Sequence, residues 1–204
     1  SGRRLAALVA SGAPRDAAAL MARAEVRLSQ ADAAGARELY ERATAVAPAH
    51  VPAQLALATL YERSSNWDGA IARYRKVIEV KPDDGTALNN LAYALATRKN
   101  DPAAALPFAK RAYTSQPNNG AATDTLAWVQ HLLGNDAEAL PLIATAARQM
   151  PNSAEVRLHA AVILASTGNP AAAKDELEKA LALDKGLDGH PAVEALRKTL
   201  GLTN

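Results

Sequence analysis

Four histidines, His50, His131, His159 and His190, are the residues through which this chain would do acid–base or metal chemistry. Imidazole titrates near neutral pH and ligates metals, but a metal site on one helix needs a second histidine four residues on, and none of the four has one. Cysteine is absent, which excludes disulfides, thiol catalysis and Cys-ligated zinc or iron–sulfur sites. Neither GxGxxG nor GxxxxGK[ST] occurs, so there is no glycine-rich cradle for phosphate. The acidic residues fall at helical spacing from lysines, as in Asp175 and Lys179, the pattern of a solvated face. Serines and threonines gather at turns and helix ends. Catalysis is therefore not expected, nor is any cofactor or metal. What remains is recognition.

The elements that would carry a recognition surface are helices. Of 204 residues, 50 are Ala and 26 are Leu, against eight aromatics. Ala and Leu are strong helix formers, whereas Val, Ile and aromatic residues, the usual strand material, are sparse. Charged residues make up 22%, so the chain is too apolar to be disordered. Residues 1–16 hold Arg3, Arg4 and Arg15 against Asp16, which accounts for the whole net charge of +2. The remainder is neutral and offers no basic patch for nucleic acid. No uncharged apolar run is long enough to span a membrane.

An internal repeat dominates the chain. Pro48, Pro82, Pro117 and Pro151 are spaced 34, 35 and 34 residues apart. Ala24, Ala58, Ala92, Ala127 and Ala161 run 34, 34, 35, 34, and Ala36, Ala70, Ala105, Ala139 and Ala173 run 34, 35, 34, 34. The single extra residue lies between Ala92 and Ala105, and the turn Arg98–Pro102 is expected to hold it. Within residues 51–84, Leu57, Ala58 and Tyr61 share one face of a first helix, and Ser64-Ser65-Asn66 breaks it. Ala70, Ile71, Tyr74, Val77 and Ile78 form the stripe of a second helix, which Pro82 stops. Alanine recurs where two antiparallel helices cross closely, because only a small side chain leaves room there. Pro107 and Pro141, in phase within second helices, predict mild kinks.

This pattern resembles the tetratricopeptide (TPR) repeat, with small residues at positions 8, 20 and 27 of a 34-residue unit and proline at 32. The resemblance covers five units, 17–50, 51–84, 85–119, 120–153 and 154–186, and implies an all-α fold, a right-handed α-solenoid of helix pairs. Residues 1–16, with RRLAALV, are expected to be a remnant helix of a preceding repeat; Ser1-Gly2 reads as a scar of tag removal. Residues 187–204 are expected to form a capping helix and tail, Val193, Leu196 and Leu200 covering the last unit. Arg23 and Arg27 fall at positions that are usually apolar, so the first helix either re-registers around Leu20, Ala24 and Leu28 or packs on something missing.

In this family the first helices line a concave groove, which implies partner-binding residues Asn89, Asn90 and Tyr93 in unit three and Asp124, Trp128 and His131 in unit four. Unit two would add Leu55, Thr59, Glu62 and Arg63, and unit five Glu155, Leu158 and Val162. Paired amides beside aromatic rings suit an extended peptide, the amides bonding its backbone and the rings clamping its side chains. Packing is the competing reading: Trp128 as a wedge between units four and five, Trp67, Tyr40 and Tyr74 as core, His159 as a satisfied inter-helix histidine. The carboxylate clamp of chaperone adaptors needs Lys and Arg where this chain has Pro52, Leu55, Asn89, Thr125 and Ala121. The later repeats, from LNNLAYALATRKNDP onward, resemble those of bacterial TPR lipoproteins of exopolysaccharide and PEP-CTERM protein-sorting systems. That resemblance implies a periplasmic or outer-membrane-associated scaffold with protein or peptide partners. The alternatives are an accessory region of a larger enzyme and a cytoplasmic adaptor.

Overall fold

The computed structural model describes residues 2–202, with side chains from residue 16 onward. Every regular element among them is helical: α1 (Gly2–Ser29), α2 (Ala33–Val46), α3 (Val51–Arg63), α4 (Trp67–Val80), α5 (Gly85–Tyr93), α6 (Pro102–Ser115), α7 (Gly120–Leu132), α8 (Asp136–Gln149), α9 (Ala154–Ser166), α10 (Pro170–Leu183) and α11 (Pro191–Thr199). A π-helical turn, Ala94–Arg98, extends α5, and a 3-10 turn, Lys185–Gly189, precedes α11. The chain divides into two compact units, Ser1–Leu91 and Ala92–Asn204.

The alanine series are the seams of the helix pairs. Ala24, Ala58, Ala92, Ala127 and Ala161 are all fully buried, as are Ala36, Ala70, Ala105, Ala139 and Ala173. So is the third set, Ala43, Val77, Ala112, Ala146 and Ala180. Larger residues fill the space between: Leu39, Tyr40, Leu57 and Leu60 in the first unit, Ile143, Val156 and Ile163 in the second. Arg23 and Arg27 face solvent while Ala24 is buried with Leu20 and Leu28 against it, so α1 takes the re-registered option.

One turn design recurs at the end of each first helix. Ala31, Ser65, Asn100, Gly134 and Gly168 adopt left-handed backbone, with φ between 52° and 78°. Each directly precedes the N-cap of the second helix: Asp32, Asn66, Asp101, Asn135 and Asn169. Asp32, Asn66 and Asp101 accept from backbone N–H groups three residues on, satisfying donors that a helix start leaves free. Two histidines are used the same way, His50 Nδ1 accepting from Ala53 N–H and His190 Nδ1 from Ala192 N–H.

Two expectations, the place of the extra residue and the remnant helix, meet a different backbone. The extra residue is absorbed in the helix and not in the turn. Asn66, Asn135 and Asn169 N–H each donate to the carbonyl five residues back, whereas Asp101 donates to Leu95, six back, and Lys99 to Ala94, closing the π turn. Widening one helical turn keeps Leu95 and Ala96 buried, which an insertion beyond the helix would not require. Pro107 and Pro141 are exposed and sit inside unbroken helices, each the sixth residue of its helix. The separate remnant helix expected at 1–16 runs unbroken into the first repeat as part of α1, with no turn near residue 16; the apolar face proposed for Arg3–Val9 lies outside the described side chains.

Candidate functional site

Of the six groove residues, Asn89 and Asn90 belong to the first unit. Asn90 Nδ2 donates to the hydroxyl of buried Tyr74 at 3.2 Å, and Asn89 Nδ2 donates to Asn90 Oδ1 at 3.3 Å. Asn90 is thus held by core packing, while Asn89 Oδ1 is a buried acceptor without a hydrogen-bond partner. An unsatisfied buried carbonyl costs about 1–3 kcal/mol. Burial, with Glu62 nearby, pushes the Tyr74 hydroxyl far above its ordinary pKa, so it stays protonated.

Tyr93, Asp124, Trp128 and His131 lie in the second unit. The Tyr93 hydroxyl donates to Glu155 Oε1 at 3.0 Å, joining the end of α5 to α9 across 62 residues of sequence. The Arg98 guanidinium lies 5.9 Å from the Tyr93 ring centroid, in cation–π range. Burial, then the Glu155 charge and hydrogen bond, raise the Tyr93 pKa.

Asp124, Trp128 and His131 form one cluster, and His159 of α9 completes it. Both Asp124 oxygens lie within reach of His159 Nδ1, at 3.0 and 3.1 Å, and both side chains are nearly buried. The His159 imidazole stacks on the Trp128 indole with centroids 4.1 Å apart and planes 14° from parallel. His131 approaches the same indole at 5.1 Å and 37°, and its Nδ1 is fixed by Asp136 at 2.6 Å. Burial alone would lower the His159 pKa, but the charge and hydrogen bond of Asp124, helped by Glu155, outweigh it and hold the value above the ordinary one. Asp124 is therefore committed to His159 and is not a free contact for a partner.

Trp128 also lines a pocket of about 290 Å³ with Val162 and Ala165 of α9 and Ala192, Leu196 and Thr199 of α11. Thr199 and Ser166, the hydroxyls in its wall, donate to carbonyls of their own helices, so the pocket is chemically apolar. A larger pocket of about 380 Å³ between α8, α9 and α10 contains none of the candidate residues. In its wall Arg157 bonds Glu176 at 2.8 Å and also Pro151 O. Among the described residues no three His, Asp or Glu side chains are grouped to hold a metal, and no helix is long and apolar enough to cross a membrane.

The spacing of Val193, Leu196 and Leu200 marked α11 as a cap over the last unit, but not as a wall of the Trp128 pocket. The signal for that role was a further spacing: Ala195 follows Ala161 by 34 residues, which puts α11 where a sixth first helix would stand. Leu158, expected in the groove, is instead buried against Val193 and Leu196, because α11 covers it. The Asp124–His159 pair had a signal too. The two are 35 residues apart, one repeat plus one, so neighbouring first helices bring them face to face.

Helix pairs, buried small residues at fixed phases and a recurrent turn define an all-α repeat fold of the helix–turn–helix class. Two family models described as tetratricopeptide repeat match residues 55–120 and 134–200, and the chain belongs to that family. Among solved structures, it resembles PilW, described as a widely conserved type IV pilus biogenesis factor, with a TM-score of 0.76 and 19% identity over 92% of this chain and 87% of that one. It resembles YrrB, described as a TPR protein with an unusual peptide-binding site, with a TM-score of 0.67 and 21% identity over 88% and 90%. MamA of Desulfovibrio magneticus RS-1 aligns with a TM-score of 0.71 and 13% identity over 85% and 98%. At these identities the likeness is one of fold. No curated protein matches the chain in sequence.

Proposed function

We propose that this chain is a non-enzymatic scaffold that holds partner proteins or peptides along the first-helix face of its repeats, in a bacterial envelope system for exopolysaccharide export or protein sorting. The observation that carries the binding reading is Trp128, a half-buried indole fixed by a stacked imidazole and left lining an apolar pocket. A large aromatic ring that is already immobilised loses little entropy on binding, which is why such rings dominate binding energy in interfaces. The peptide-binding site named for YrrB agrees with this reading. The envelope assignment rests on the likeness of the repeats to bacterial TPR lipoproteins.

The test is capture by immobilised protein from envelope and cytosolic extracts of the parent organism, with a Tyr93→Ala/Trp128→Ala variant of unchanged helicity alongside. The expected result is retention of envelope secretion or polysaccharide-export proteins by the wild type, lost in the variant. Equal capture by both would move the site away from Tyr93 and Trp128. A cytosolic protein as sole partner would overturn the envelope assignment.

A further inference from the structure

We propose that His159 is a positioning residue whose protonation holds Trp128 in its pocket-lining orientation, so that the grip on a partner is proton-dependent. The proposal concerns regulation of the site proposed above and rests on that reading for its consequence in binding. The geometry is a three-layer stack. The Asp124 carboxylate engages His159 Nδ1 through both oxygens, and the imidazole lies flat on the indole at 4.1 Å. A protonated imidazole in this position is paired with a carboxylate on its edge and with an electron-rich ring on its face. Loss of the proton leaves the buried Asp124 charge with one neutral donor and removes the cation from the indole. Both interactions that fix Trp128 through His159 weaken together.

The charged groups around the stack make it specific to His159. Asp124 comes from α7 and Glu155 from α9 itself, and Glu155 also accepts from Tyr93. His131, beside the indole on α7, is engaged by Asp136 of α8. On α10, Glu176 is taken by Arg157 and Lys179, and near α11, Arg197 is taken by Asp188. Arg98 lies over the Tyr93 ring, and the Asp124 carboxylate is engaged by the His159 imidazole. The raised pKa of His159 agrees with this arrangement. The consequence for binding comes from the share Trp128 has in the pocket lining, together with Val162 and Leu196: when the ring is free to turn, the pocket loses that part of its wall.

The chain has two tryptophans, so a Trp67→Phe background leaves Trp128 as the sole indole. Its emission, followed across about pH 5 to 9, is expected to show one transition, dimmer on the acid side because an imidazolium quenches indole more than an imidazole does. The midpoint is expected above the ordinary histidine value of about 6.5. His159→Gln is expected to abolish the transition, Asp124→Asn to move it down, and His131→Gln to leave it in place. A transition that survives His159→Gln, or vanishes with His131→Gln, overturns the proposal. Should circular dichroism show His159→Gln unfolded, the 15N shifts of the His159 ring in the otherwise wild-type chain decide, and a midpoint at or below the ordinary value overturns it. None of these readouts needs a partner, so a failure of the capture experiment leaves them intact. An absent transition beside successful capture would discard the switch and keep the scaffold.

Discussion

At the scale of single residues, the Asp124–His159 pair makes a stability prediction with a definite sign. Its histidine has a folded-state pKa raised above the unfolded value of about 6.5. The stabilisation is therefore fully present below that unfolded value and is lost as the pH rises through the folded one. Removing one partner of a buried ion pair costs about 3 kcal/mol or more. In urea titrations, His159→Gln is expected to lie about 3 kcal/mol below the wild type near pH 6, with the gap narrowing toward pH 9. A gap that widens with pH would contradict the pairing. The left-handed turn residues give a second case. Ser65 holds φ 58° and carries a Cβ, whereas Gly134 holds φ 77° without one. A left-handed residue with a side chain costs about 1–2 kcal/mol, so Ser65→Gly should stabilise and Gly134→Ala destabilise, each by about 1 kcal/mol. Thermal melts of both variants check the opposite signs.

At the scale of elements, the π turn Ala94–Arg98 is where a 35-residue spacing is fitted to a 34-residue register. Deleting Thr97 removes the surplus residue at the place where the helix already widens. The remaining backbone can close as an ordinary α-turn with Ala105 and Ala109 still buried. We expect that deletion to retain full helicity and to change stability by no more than about 1 kcal/mol, in the range of benign surface changes. Deleting Arg75 is the contrast. It turns every later residue of α4 by about 100° and takes Val77 out of the core it fills beside Tyr74. The loss there should be several kcal/mol, visible as a large drop in the circular dichroism melting temperature. The existence of an extra residue was legible because three periodic series skipped together. Its location was not, because proline and asparagine mark turns in sequence, while a π turn made of Ala, Leu, Ala, Thr and Arg carries no mark at all. The pairing of Arg157 with Glu176 was equally hidden. It joins the fourth and twenty-third positions of one repeat, where Gln54 and Arg73 form the same contact in another, and the other repeats fill those positions with residues as ordinary as Leu88 and Phe108.

At the scale of the molecule, stability in a repeat fold is close to a sum of unit terms and nearest-neighbour terms, so damage at an end should stay near that end. That is also why the fold was so legible: Ala58 and Ala127 do the same job at the same phase, and repetition amplifies a signal that one helix pair would leave ambiguous. The site lacked that amplification, since Asp124, Trp128 and His159 each occur once and their meeting depends on how two particular helices face each other. The end at α11 tests the additive view. Val193 and Leu196 are buried against Leu158, Ala161, Leu177 and Ala180 of the last helix pair. Leu196→Ala should cost about 2–5 kcal/mol locally, the usual range for emptying such a site. Hydrogen exchange resolves where that cost falls. Amides of α9 to α11 should lose protection while those of α2 to α4, whose core of Leu39, Tyr40, Leu57 and Leu60 is built only from the first unit, keep theirs. Uniform loss across both regions would show that the chain unfolds as one cooperative block, and the additive account would then fail for this protein.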